Sequence, residues 1–501
     1  MKDLGNRSLS AVFWGSGGTI IRIGLQLVAQ VVLARILGPE QYGLFAIGAI
    51  VVGFSNFFAD IGIAYGLIQK KTINHNDLRF VFTWQIIIGI LVSLSIAFAS
   101  GPIASFFGDK RAHDVVLGMA AICLLNALAA PSLNLLKREM NFKRIQFAQV
   151  ISYIVGYICV AIPLALAGAQ VWSLVIGWLV QASCMFVLLY LATRHAVTPL
   201  LWYAEARSLS GYGLTVLATN ITNWMINNID RVIVGRVFLS QQIGFYSTSY
   251  NMLYNPTSSL LGVIQPVFFS AASHASNSHE RVSRAYLALV SAIMLFILPA
   301  FAAVSAISST FVLALYGDSW RVAGAVFQPI ALAMPLFLVW GMTTPLLWAG
   351  GAPGREFKSQ LPILLVWIVA AWCAAKISLA AVGWAVLLMF MLRCSVILYA
   401  ACRLLTMPFA SVWRAVRRGL YVSIICAGAV LVTDVAMRQL VIVPQFWLIA
   451  DVAAGLVAFA AAVKWLPGTI DNELSRLVNR IADKCPPPVG RWISLFASVE
   501  R

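Results

Sequence analysis

The run AVFWGSGGTIIRIGLQLVAQVVL (Ala11–Leu33) decides how the rest of the chain is read. About 20 predominantly apolar residues cross a hydrocarbon core as a helix, and this run is long enough. Yet it carries Thr19, Arg22, Gln26 and Gln30, spaced by three, four and four residues. A helix gathers that spacing into one polar stripe. Arg22 lies near mid-span, where a charge costs about 2.5–3.5 kcal/mol on insertion scales. It sits roughly 16 Å from either end at the helical rise, too deep to snorkel. Facing lipid, such a stripe has no compensation; facing a water-filled cavity, it does.

The composition agrees with a membrane setting. The 501 residues are 61% hydrophobic and 11% charged, with mean hydropathy +0.87. Soluble domains carry about twice that charged fraction. The net charge of +17 has no basic soluble domain to hold it, so it reads as topogenic charge and no nucleic-acid partner is expected. Seven of the eight cysteines lie in or at the ends of apolar spans, with no CxxC spacing, and read as small hydrophobes. The five histidines are expected in loops, and no ligand constellation predicts a metal or a cofactor. The span after Lys2 and Arg7 is too long for a signal-peptide core and lacks a small-residue cleavage pattern, so it is read as a mature helix.

Fourteen spans are expected: 11–34, 44–69, 81–100, 115–136, 147–168, 171–192, 211–238, 243–271, 286–306, 323–348, 361–379, 381–403, 419–437 and 446–466. Strand-type alternation is absent, which leaves helices as the way across. With the N-terminus inside, 25 of the 35 Lys and Arg fall on the inner side and 7 outside, with Arg22, Arg231 and Arg393 within spans. That bias predicts both termini cytoplasmic. The outer loops are short, the largest being 101–114, which leaves no room for an external catalytic domain. Beyond Pro467, Ile470, Leu474, Leu477, Val478 and Ile481 recur at helical spacing among charges. This tail, 467–501, is expected to lie on the inner leaflet as an amphipathic helix.

A shift of 201 residues reveals a repeat. ARILGPEQYGLF overlies GRVFLSQQIGFY, and Thr19, Arg22, Gln26 and Gln30 fall on Asn220, Asn223, Asn227 and Arg231. Trp172 and Trp384 echo each other at an offset of 212. The expected fold is all-α and membrane-integral: an N-terminal six-helix lobe (1–200), a second six-helix lobe (201–405) and two added helices (406–466). An even number of spans per half makes the repeats parallel, about an axis along the membrane normal.

The polar groups at membrane depth are candidates for one cavity. Arg22, Gln26, Gln30, Asn223, Asn227, Arg231, Arg393 and Tyr250 form the candidate substrate-binding set. Amides, aromatic faces and arginines suit a polar, anionic, carbohydrate- or phosphate-bearing group, because arginine grips phosphate in a fixed fork. Asp60 is the candidate for ion or proton coupling, with a helix-holding ion pair as its other reading.

Four runs carry a family resemblance: LARILGPEQYGLFAI after the first span, LLKREMNFKRIQ after the fourth, VWSLVIGWLVQ in the sixth and LYGDSW after the ninth. The chain resembles the polysaccharide transporter family, the Wzx-type flippases of the multidrug/oligosaccharidyl-lipid/polysaccharide superfamily, over at least 1–405. It departs where relatives often have a proline and this chain reads VFFSAAS after the eighth span. The resemblance implies a bacterial inner-membrane, multi-pass transporter, not an enzyme. It implies movement of an undecaprenyl-pyrophosphate-linked oligosaccharide between leaflets by alternating access, for surface or exopolysaccharide biosynthesis. The implied partners are the lipid-linked oligosaccharide, membrane lipids, and the polysaccharide polymerase and export machinery. Arg22, Arg231 and Arg393 are then the cations for the head group. The alternatives are a multidrug or small-cation antiporter of the same fold, a lipid II flippase, and a membrane enzyme acting on the same carrier. The antiporter needs carboxylates facing its substrate, and the enzyme needs a larger outer loop.

Overall fold

The computed structural model describes residues 2–59, 73–203, 213–274, 279–349, 353–440 and 443–465. Among these, every long element is a helix. In chain order they are α1 (Lys2–Ala59), α2 (His75–Phe107), α3 (Ala112–Arg138), α4 (Phe142–Leu166), α5 (Val171–Thr193), α6 (Gly213–Val237) and α7 (Ser240–His274). Then follow α8 (His279–Ala292, continued by a π-turn Ile293–Ile297 and by Leu298–Ala306), α9 (Ser308–Tyr316), α10 (Ala323–Ala349), α11 (Pro353–Ile377), α12 (Leu379–Leu404), α13 (Phe409–Leu440) and α14 (Pro444–Trp465).

The first two expected spans are two helices within α1, broken at Gly38, whose φ of 73° and ψ of 174° are not helical. Glycine takes that conformation without a Cβ penalty, and Pro39 then cannot donate to the ladder. Each expected span is helical over its described residues. Among the described residues, ten helical stretches are long and apolar enough to cross a membrane by length and composition. α6 and α7, with their many polar residues, stand outside that group, and so does α11, whose described apolar part, Pro362–Ile377, is shorter.

Three expectations need correction. The 101–114 loop shrinks to 108–111, because α2 continues through Pro102 to Phe107, where Gly108 (φ 73°) caps it. The connection after α8 contains α9, set off by Ile307 at φ −107°, ψ 26°, which breaks the helical ladder. His75 and His113 stand in the first turns of α2 and α3 rather than in loops. The expected amphipathic tail lies outside the described residues.

The chain packs as two compact units. The first comprises Met1–Thr248 with Val366–Leu379; the second comprises Ser249–Leu365 with Ala380–Arg501. In lipid there is little hydrophobic drive between helices, so close packing at small residues and hydrogen bonds matter more. In the first unit, Leu33, Ala161, Ala165 and Leu174 pack α1, α4 and α5 together. In the second, Tyr286, Val290, Met294, Leu338, Met342 and Cys394 pack α8, α10 and α12, with a 2.7 Å bond between the hydroxyls of Tyr286 and Thr343.

A non-helical strap follows α5 in the first unit and is fastened to α2. Arg79 donates to the carbonyls of Thr198 and Pro199, the Leu200 N–H donates to Thr83 Oγ1 (2.9 Å), and Trp84 Nε1 donates to Leu201 O (3.0 Å). Tyr203 donates its hydroxyl to Asp77. His195 is buried at the strap's start, edge-on to Phe82 and Tyr190. Burial lowers its affinity for a proton below the ordinary histidine range, partly offset by the contact with Ala196 O. The unfolded or undocked strap therefore takes up the proton first. Its docking is at full strength above about pH 6.5 and weakens as the pH falls below that. Hydrogen exchange of 194–203, corrected for intrinsic rate, is expected to speed up between about pH 7.5 and pH 5.5, and His195→Phe should remove the change.

Candidate substrate site

The stripe of α1 can be followed from Gly18 upward. A Cβ on Gly18 would lie 2.7 Å from Gln146 Cβ, so the glycine brings α4 close. Gln146 then donates to Thr19 Oγ1 (3.3 Å), and one turn on Arg22 Nη1 donates to Gln149 Oε1 (2.7 Å). Arg22 Nε is buried with no hydrogen-bond partner among the described residues. The cation is therefore held by a neutral amide. Its charge is left uncompensated by that contact, which suits an anion better than a structural ion pair would. Higher on α1, Gln30 donates to Thr248 O (3.3 Å), and Tyr42 donates back to Gln30 O (3.3 Å).

The echoing stripe on α6 lies in the same unit. Asn223, Asn227 and Arg231 are each half-buried. Beside them Trp224 packs on Phe54, with ring centroids 5.1 Å apart, and Asn228 Nδ2 donates to Trp224 O (3.0 Å). Asp230, fully buried, accepts a hydrogen bond from the buried Tyr246 hydroxyl. Gln26 is half-buried on α1.

Beyond the two stripes, α1 crosses α7 in a way that repeats the sequence echo. A Cβ on Gly43 would lie 1.6 Å from Ser240 O, and a Cβ on Gly244 would lie 1.8 Å from Pro39 O. Ser240 and Gly244 are the positions 201 residues beyond Pro39 and Gly43. Each residue thus touches the counterpart of its own neighbour, the reciprocity that a local two-fold relation imposes. The crossing is tied by charge. Arg111 bonds to Glu40 (2.7 Å) and Asp109 (2.9 Å), and Ser240 donates to Asp109. Burial pushes Asp109 up, but the bonds from Arg111 and Ser240 outweigh it and hold the carboxyl below its ordinary range.

In the second unit Arg393 is 1% exposed. Its Cζ lies 3.5 Å from the Trp340 ring centroid, and Nη2 donates to Gln360 Oε1 (3.2 Å). Tyr250 is buried and packs at 5.4 Å on Tyr254, which packs at 5.2 Å on Phe337. So Arg22, Gln26, Gln30, Asn223, Asn227 and Arg231 belong to the first unit, and Tyr250 and Arg393 to the second. Asp60 lies outside the described residues. Sequence reasoning missed Gln146, Gln149, Trp340 and Gln360. The signal for the first pair was two glutamines three apart in an apolar span.

A family model described as "Polysaccharide biosynthesis protein" matches residues 32–325. The lipopolysaccharide biosynthesis protein WzxC of Escherichia coli (strain K12) is 24% identical over 362 residues, covering 71% of this chain and 73% of that protein. Among solved structures, a lipid II flippase MurJ in an inward closed conformation superposes with TM-score 0.73 at 14% identity, covering 89% of this chain and 97% of that one. An inward-facing multidrug resistance transporter of the MATE family superposes with TM-score 0.56 at 15% identity, covering 77% of this chain and 98% of that one. At these identities the two structures establish a shared helical fold.

Proposed function

Because the chain belongs to the polysaccharide biosynthesis protein family, we propose that it is a flippase for an undecaprenyl-pyrophosphate-linked oligosaccharide repeat unit. It works in the bacterial inner membrane with both termini cytoplasmic, serving surface or exopolysaccharide biosynthesis. The observation that carries this reading is Arg22, a mid-span cation held by the neutral Gln149 within a stripe of amides. A diphosphate crossing hydrocarbon unaided would meet a prohibitive desolvation cost. Guanidinium and amide groups replace its water and lower that cost. The two six-helix halves, 1–200 and 201–405, rock about their common axis, and the head group crosses between them while the lipid tail stays in the bilayer. Gln26, Gln30, Asn223, Asn227, Arg231, Tyr250 and Arg393 complete the path, and Asp60 serves ion or proton coupling. The polymerase and export machinery receive the product, and the chain itself performs no bond chemistry.

The MATE-like fold supports a second reading, a drug or small-cation antiporter. The cationic stripe argues against it, since a cationic substrate calls for carboxylates. Both readings are separated by one experiment. In a strain lacking the native gene, the wild-type chain is expected to restore surface polysaccharide. Arg22→Ala should lower output by about tenfold or more, while Arg22→Lys, which keeps charge but loses the fork, should retain part of it. Normal output from correctly inserted Arg22→Ala, or drug resistance without polysaccharide, would overturn the proposal.

A further inference from the structure

The second unit contains a cavity of about 300 Å³ between α8, α9, α13 and α14, lined by none of the candidate substrate residues. Its wall is apolar, formed by side chains such as Phe296, Ile307, Phe311, Val430 and Phe459. One lining residue does not match. Asp451 is 1% exposed, and neither carboxyl oxygen has a hydrogen-bond partner among the described residues. Val452 and Leu456 also line the cavity and are more than half exposed on the apolar outer face of α14, so it opens toward hydrocarbon.

The charges around Asp451 are few. Ile293–Ala306 carries no titratable side chain. α9 offers the hydroxyls of Thr310 and Tyr316, and α13 offers Cys426, Asp434 and Arg438. Asp434 and Arg438 are the charges within electrostatic reach. Both oxygens of Asp434 are already occupied. Oδ1 accepts from Thr310 (2.6 Å), and Oδ2 pairs with Arg438 (2.8 Å). Arg438 also donates to Thr310 Oγ1 (2.6 Å). Two buried acids thus share one guanidinium, and the geometry gives it to Asp434. An isolated carboxylate in such a place neutralises itself rather than bear the cost of desolvation.

We propose that Asp451 is a proton-binding site facing this cavity, which a hydrophobic reagent can enter from the hydrocarbon side of α14. The ligand is the proton, held on a carboxyl oxygen while the cavity is dry. Release hands the proton to entering water and leaves a carboxylate, which requires Arg438 to turn from Asp434 toward α14. Proton occupancy and the packing of α13 on α14 are then linked.

Hydrophobic carbodiimides test this directly. The acid O–H adds across a C=N bond with no leaving group, and an acyl shift gives a stable N-acylurea. The full chain in liposomes is treated with N,N′-dicyclohexylcarbodiimide and mapped by mass spectrometry. The adduct is expected on Asp451, several-fold more abundant near pH 6 than near pH 9, absent in Asp451→Asn and retained in Asp451→Glu. In Arg438→Gln, which removes the shared cation, Asp434 should become labelled as well. No adduct on Asp451 at any pH, or an adduct independent of pH, would overturn the proposal. Neither outcome depends on what the protein transports.

Discussion

Gly43→Ala and Gly244→Ala are each expected to prevent accumulation of folded protein in the membrane. At both positions the added methyl would fall within 2 Å of a backbone carbonyl oxygen, Ser240 O in one case and Pro39 O in the other. A side chain could rotate away, but backbone on two helices cannot without parting α1 from α7. Ordinary overpacking costs about 1–3 kcal/mol, and a backbone clash of this depth exceeds that range. In a bilayer the loss is not recovered elsewhere, because close approach at small residues is itself a main source of helix association. Separating α1 from α7 would also strain the Glu40–Arg111–Asp109–Ser240 latch beside them. Gly24→Ala is the matched control, since its new methyl would meet nothing within 4 Å. Size-exclusion profiles of detergent-solubilised protein should show a monodisperse peak for Gly24→Ala and little or none for the other two. The double variant should be no worse than either single one, since both alter one crossing. Stability equal to that of Gly24→Ala at either position would contradict the reciprocal contact.

Arg393→Ala is expected to destabilise the second unit and to abolish transport, whereas Arg393→Met separates the two effects. The guanidinium lies 3.5 Å from the Trp340 centroid and is almost wholly buried. A desolvated cation–π contact is worth about 2 kcal/mol or more, and truncation to alanine adds the cost of a large void. It also removes the donor to Gln360 Oε1. Methionine fills most of the space, packs well on an aromatic ring and carries no charge. Arg393→Met should therefore melt within a few degrees of wild type, yet show about tenfold less transport if this cation meets the head group. Wild-type transport by a folded Arg393→Met would assign Arg393 to packing alone.

Much of the architecture is legible in the amino-acid sequence, because a membrane span must satisfy its backbone within itself and be apolar along its length. The fourteen spans follow from that rule, and so does the anomaly of Arg22. The 201-residue echo of GPEQYG in LSQQIG acquires a physical counterpart in the Gly43–Gly244 crossing. What the pattern could not supply is geometry between helices. Gly38-Pro39 reads as a turn signal, yet the angle between the two helices that meet there depends on the φ and ψ of Gly38. Gln149 reads as one more amide until α4 is laid against α1 and its Oε1 meets Arg22. α9 escaped because its nine residues are too short to cross a membrane and its start, Ser308, Ser309 and Thr310, reads as a polar connection. Asp451 had a signal, a lone acid inside the last span, but its weight comes from Thr310, Asp434 and Arg438, which lie on two other helices.

The central claim is that a mid-span cation on α1 carries an anionic lipid-linked sugar through the bilayer. The most direct measurement uses purified chain in proteoliposomes containing an undecaprenyl-pyrophosphate oligosaccharide, with a membrane-impermeant glycosidase added outside. Wild-type protein is expected to bring the inner-leaflet half of the sugar within reach of the enzyme, and Arg22→Ala should do so no faster than protein-free vesicles. Wild-type protein that leaves the inner pool protected, or Arg22→Ala that empties it at the wild-type rate, would contradict the account.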